Sequence, residues 1–170
     1  MKNDTNTGGN MISEQIIRQV IASWTSRNTL FTGFFNKYKD EETYLNEVAP
    51  GRNRAIYLLG HLIAVNDGML PIFGLGEKLF PELEALFIKA PDKTVEELPS
   101  LAELRLQWEQ LNAKLTEHFS TMATHEWMER HTLVSPEDFE QNPSRNKLNV
   151  LLGRTIHQSY HLGQMNLLNV

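Results

Sequence analysis

The chain contains no cysteine. That absence excludes a disulfide framework, a cysteine-based zinc finger, an iron–sulfur cluster and a thiol nucleophile on the chain itself. Any metal must be held by His, Asp or Glu, and six histidines are available. Basic residues are in the minority, 16 against 21 acidic ones, for a net charge of −5. With no basic field to gather a phosphate backbone, nucleic acid is not an expected partner. No run of about 18 uninterrupted apolar residues occurs, and residues 1–10 lack the apolar core of a signal peptide, so no membrane partner and a cytoplasmic location are expected. Glycine and proline number only 10 and 7 among 170 residues, of which 41% are hydrophobic. Such a composition belongs to a globular chain and not to a collagen-like or low-complexity one. The length suits one domain with one core.

The apolar residues recur at helical spacing. Over residues 13–38, Ile16, Val20, Trp24, Phe31, Phe34, Phe35 and Tyr38 form one stripe, with Ser13 placed to cap the helix. Residues 1–11, polar and containing Gly8-Gly9-Asn10, are expected to be a disordered tail, leaving 12–170 as a single domain. A polar connection through Pro50-Gly51 leads to a second helix, capped by Asn53, carrying Ile56, Leu58, Leu62, Val65 and Met69 and ending near Pro71. Residues 71–99 hold four of the seven prolines, Pro71, Pro81, Pro91 and Pro99, and read as a long interrupted crossover with a short helix after Pro81. Ser100 and Glu103 form a capping box for a third helix bearing Leu101, Leu104, Trp108, Leu111, Leu115, Phe119 and Met122. Residues 124–146 read as charged loop. In the last segment, 147–169, apolar residues fall almost around the circumference, the pattern of a central helix. No strand-like alternation competes. The expected fold is therefore all-α, a four-helix bundle with a long crossover between helices two and three.

Chemistry concentrates in histidine. His157 and His161 lie four apart, so their side chains stack on one helix face at a separation at which two imidazoles can share a metal ion. Six histidines in 170 residues give about 0.2 such pairs by chance, so the pair alone is a weak signal. His61 falls within the inward stripe of the second helix, where an imidazole needs a partner. A backbone carbonyl or a tyrosine could supply one, making it an ordinary core histidine. With three histidines pointing inward, a second arrangement arises: one from helix two and two from helix four converge as three neutral nitrogen ligands and leave coordination positions open, the geometry of a catalytic site.

The runs Pro50-Gly51-Arg52-Asn53-Arg54-Ala55-Ile56-Tyr57-Leu58-Leu59-Gly60-His61-Leu62 and His157-Gln158-Ser159-Tyr160-His161-Leu162-Gly163-Gln164 resemble the two signatures of the DinB/YfiT-like superfamily. The second, H-x-x-Y-H-x-G-Q near the chain end, is the more specific. The resemblance covers most of the chain. It implies a four-helix bundle that binds a divalent metal, zinc or nickel foremost and iron as a further candidate, through His61, His157 and His161. Members of the superfamily include S-transferases that use bacillithiol, mycothiol or glutathione, and a mycothiol-dependent isomerase. It therefore implies a metal-dependent enzyme acting on a small molecule with a low-molecular-weight thiol cosubstrate, and a homodimer, a form members often adopt.

A bound cation would make an incoming thiol nucleophilic near neutral pH, and without cysteine the thiol must be a cosubstrate. A hydrolase would instead need a general base, and no H-E-x-x-H arrangement provides one. The alternative from another class is a non-catalytic metal-binding or stress-response bundle. Among the neighbours, Gln164 shares the face of His157 and His161 and is as well suited to bonding a ligand as to being an ordinary amide. Arg54 could meet an anionic cosubstrate, although an ion pair is the commoner role. Tyr57 and Tyr160 read as packing residues with satisfied hydroxyls, and His118, His125 and His131 as ordinary histidines.

Overall fold

The computed structural model describes residues 4–38 and 40–168, and among them the protein is all-α, with no strand. Its first helix, α1, spans Asp4–Lys37. The expected start at Ser13 is thus too late: residues 4–12 are helical, and Ser13 Oγ donates to the Gly9 carbonyl at 3.0 Å instead of capping. Of the expected tail, residues 1–3 lie outside the described residues. Gly9, Asn10, Met11 and Ile12 are exposed. Once the packed part of a helix has nucleated, adding turns to its end costs little, and nothing in this stretch forbids them.

Further along α1, Ile17, Trp24, Phe31 and Phe35 are buried, while Ile16 is exposed, so the stripe begins one residue later than expected. Its gap at 28 is filled by buried Asn28, whose Oδ1 accepts from Gln158 Nε2 at 2.6 Å. A short helix, α2 (Glu41–Leu45), is capped by Asp40, which accepts from Thr43 N at 2.8 Å. It buries Tyr44 and turns the expected polar connection into part of the packing.

Helix α3 (Ala55–Asp67) is the central one: all its residues but His61 and Val65 are buried. That position was expected for the last helix. Its N-cap is Arg54 and not Asn53, with no capping side chain of its own. Asp92 of the crossover does the capping, accepting from Arg54 N at 2.6 Å and placing a carboxylate at the positive end of the helix. Pro71 does not end the apolar run; it lies inside α4 (Met69–Phe73), in a first turn whose N–H groups have no helical acceptor anyway. The stretch Ala55–Phe73 is long and apolar enough to cross a membrane, but 72% of it is buried inside the bundle.

The crossover is anchored by buried Asp67, which accepts from the backbone of Leu79 and Phe80 at 2.8 Å each. The helical turn after Pro81 is present but wide: Ala85–Lys89 is π-helical, and Ala90 N donates to Ala85 O five residues back at 3.2 Å. Helix α5 (Leu101–Thr121) has the expected Ser100–Glu103 capping box and buries Leu101, Leu104, Trp108, Leu111, Leu115 and Phe119. The charged segment after it contains α6 (Thr124–Trp127), which buries Trp127, and α7 (Pro136–Gln141).

The last helix, α8 (Lys147–Met165), is capped by Asn146, which accepts from Asn149 N at 2.9 Å. It is amphipathic and not central: Leu151, Thr155, Gln158, His161 and Met165 are buried, whereas Leu152, Ile156 and Tyr160 are exposed. Contacts link α1 to α8, α8 to α3, α3 to α5 and α5 to α1, which closes a four-helix ring. Thr132 N bonds Ile72 O and Lys147 N bonds Glu129 O, both at 3.0 Å, so the end of α4 and the start of α8 meet at one end of the ring. Consequently α3 and α8 run antiparallel past each other.

Candidate metal centre

On one face of α8 the half-buried residues Lys147, Val150, Arg154, His157 and Gln164, with buried His161, form a row at helical spacing. This row faces the partly open strip of α3 formed by His61 and Val65. The three histidines meet there. Nε2 of His157 is 3.3 Å from Nε2 of His61 and 2.9 Å from Nε2 of His161, and the ligand atoms of all three lie within 4.8 Å of one another. Three nitrogens at about 2.0–2.1 Å from one tetrahedral ion would be roughly 3.3 Å apart, so the spacing fits a single metal ion.

Hydrogen bonds fix the tautomers of two of the rings. His61 Nδ1 lies 2.8 Å from the Phe87 carbonyl, which can only accept, so the proton is on Nδ1 and the Nε2 lone pair points inward. His161 Nδ1 donates to Gln164 Oε1 at 2.7 Å, with the same consequence. The Gln164 amide is oriented by its Nε2, which donates to Tyr160 Oη at 3.2 Å. Two lone pairs thus converge beside His157, whose single N–H could satisfy only one of them. A Lewis acid satisfies both, and this donor set suits a divalent cation.

A family model described as the DinB superfamily matches residues 24–165, which include all three histidines. The chain belongs to the DinB superfamily. Among curated proteins, none matches it.

In this DinB protein the π-helical turn is part of the site. Its wide turn carries Phe87, whose ring packs so closely on α3 that a Cβ at Gly60 would lie 2.4 Å from ring atoms. Only glycine allows that approach, and the approach brings the Phe87 carbonyl to His61. Tyr57, one turn earlier, lies parallel to the His61 ring at 6.3 Å and donates its hydroxyl to Ala90 O at 2.8 Å, so its role is packing, as expected. Arg54 is taken up by an ion pair: Nε and Nη2 bond Asp92 Oδ1 at 3.0 and 2.7 Å, and the Asp92 side chain is only 3% exposed. The commoner of its two expected roles is the one observed. Gln164 bonds a histidine of the site. His118, His125 and His131 lie outside the cluster.

The electrostatics favour neutral, ligating imidazoles. Burial, reinforced by the neighbouring His161, His61 and Arg154, pushes the pKa of His157 down to about 4. Burial likewise lowers that of His161, against an upward pull from Gln164. Three contributors escaped the sequence reading: the Phe87 carbonyl, Gly60 and Arg154. A backbone carbonyl carries no side-chain signal, but Gly60 directly before an inward histidine, and Arg154 one turn before His157, are both visible at helical spacing.

Proposed function

We propose that this DinB protein is a metal-dependent enzyme whose divalent ion is held by Nε2 of His61, His157 and His161. The convergence of two tautomer-fixed Nε2 lone pairs on the third imidazole carries the reading. Three imidazole nitrogens suit zinc, nickel, copper and iron alike; the family resemblance puts zinc or nickel first, with iron next. When bound, the ion supplies Lewis acidity that lowers the pKa of a thiol or a water presented to it. The Phe87 carbonyl and Gln164 hold the His61 and His161 rings in ligating orientation, and the burial that keeps His157 neutral removes proton competition near pH 7. Three protein ligands would leave a bound ion a position open to a small molecule.

The reaction we favour is transfer of an electrophile to a low-molecular-weight thiol. Its support is the family, the open position and the lack of any thiol on the chain. A cytoplasmic location and a homodimer belong to the same reading; the exposed row Leu152, Ile156 and Tyr160 on α8 supports a second copy. Purified protein should turn over electrophiles only when metal and a small thiol are both present. Turnover that is indifferent to thiol would remove the transferase reading. The non-catalytic alternative makes a different prediction: a purely structural ion, once chelated, should lower the melting temperature sharply.

A further inference from the structure

Along the inner row of α8, each charged or ionisable side chain has a partner save one. Lys147 pairs with Glu129 at 3.0 Å, and His157, His161 and Gln164 interact within the cluster. Arg154, one turn before His157 on the same row, makes no hydrogen bond or ion pair among the described residues. Its Nε is sealed from solvent without an acceptor, and burial alone pulls its pKa downward. Its charge is close enough to act on His157. A half-buried guanidinium stays charged, and with no partner among the described residues its terminal N–H groups are free to donate to an anionic ligand.

We propose that Arg154 binds a carboxylate of the small molecule that occupies the three-histidine site. The inference rests on the metal-site reading above and narrows its substrate class. Because α3 and α8 are antiparallel, Arg154 lies beside the second half of α3, where Val65 is the one position other than His61 that is not buried. A ligand with its reacting atom at the histidines, a short apolar stem along Val65 and an anionic end at Arg154 fits that row. With Nε sealed, only the terminal guanidinium nitrogens remain to donate. The two oxygens of a carboxylate match that pair of donors.

The test uses cobalt(II)-loaded protein titrated with 3-mercaptopropionate and with 3-mercapto-1-propanol, which differ only in the carboxylate. Binding is read from the sulfur-to-cobalt absorption, after cobalt content has been measured in each protein. Wild type should prefer the carboxylate roughly tenfold or more, as expected for a charge-assisted pair. In Arg154→Met the preference should fall to near one with cobalt content unchanged, and Arg154→Lys should recover part of it. Since the substitution to Met removes a half-buried charge with no partner among the described residues, its melting temperature should equal or exceed that of wild type. A preference that survives in Arg154→Met, or a lower melting temperature with the preference intact, overturns the proposal. Failure of wild type and variant alike to take up cobalt would overturn the metal-site reading and this inference with it.

Discussion

Nδ1 of His61 lies 2.8 Å from the carbonyl oxygen of Phe87, and the two residues sit on elements that touch only because position 60 is glycine. A methyl group at 60 would meet rigid ring atoms in a fully buried side chain, so the ring and its carbonyl must move together. Gly60→Ala should therefore lower stability by about 1–3 kcal/mol, the usual range for overpacking. It should also weaken metal binding roughly 10- to 100-fold, as loss of an orienting partner does. Thermal melting and metal titration of the same sample check both. A destabilised variant with wild-type affinity would show that the carbonyl does not orient His61.

Gln164 is the corresponding orienting group for His161. Gln164→Leu removes the acceptor for Nδ1–H and should cost about 10- to 100-fold in metal affinity, measured by competition with a chelating dye. Gln164→Glu keeps an acceptor at the same reach and should lose far less. Equal losses in the two variants would point to packing instead of the hydrogen bond.

The depressed pKa values of His157 and His161 set a direction for pH. An unfolded histidine titrates near 6.5, whereas folded His157 titrates near 4 and folded His161 below its ordinary value. Above about pH 6.5 both states are neutral and stability is independent of these groups. As pH falls through 6.5 toward 4 the unfolded chain binds protons that the native state refuses, so the metal-free protein should lose stability over that window. Urea melts of metal-free protein should be level between pH 7 and 8 and shift to lower midpoints below. The shift should shrink in His157→Gln. A midpoint that rises on acidification to pH 5 would contradict the assignment.

The long crossover is held to the start of α3 by Arg54 and Asp92. Arg54→Met leaves a carboxylate with backbone donors alone in a site 3% exposed. Breaking a buried pair from one side costs about 3–5 kcal/mol, so the melting temperature should drop by many degrees. Because the backbone N–H of residue 54 still donates to Asp92, the crossover should loosen and not detach. A variant as stable as wild type would mean that the pair is only decorative.

Helix periodicity made most of this architecture legible. The α5 stripe and its capping box lie where the spacing puts them, and the histidines of two separate helices come together. The differences have physical causes. In α8 a count of apolar residues suggested a central helix, but Ile156 and Tyr160 point outward and polar Gln158 points inward, because burial of α8 is set by its pairing with Asn28 of α1. In α3 the cap comes from Asp92, far away in sequence and beyond local pattern. Pro71 reads locally as a stop, yet a new first turn begins after Gly68 and tolerates it. A π-helical turn that presents one carbonyl to one imidazole has no signature in composition or spacing.

On the proposed function, His61, His157 and His161 together hold one divalent ion. Metal content by plasma mass spectrometry, per mole of purified protein, should be close to one in wild type and near zero in His157→Ala, with the variant still helical by circular dichroism. Equal metal content in the two proteins would show that His157 is not a ligand.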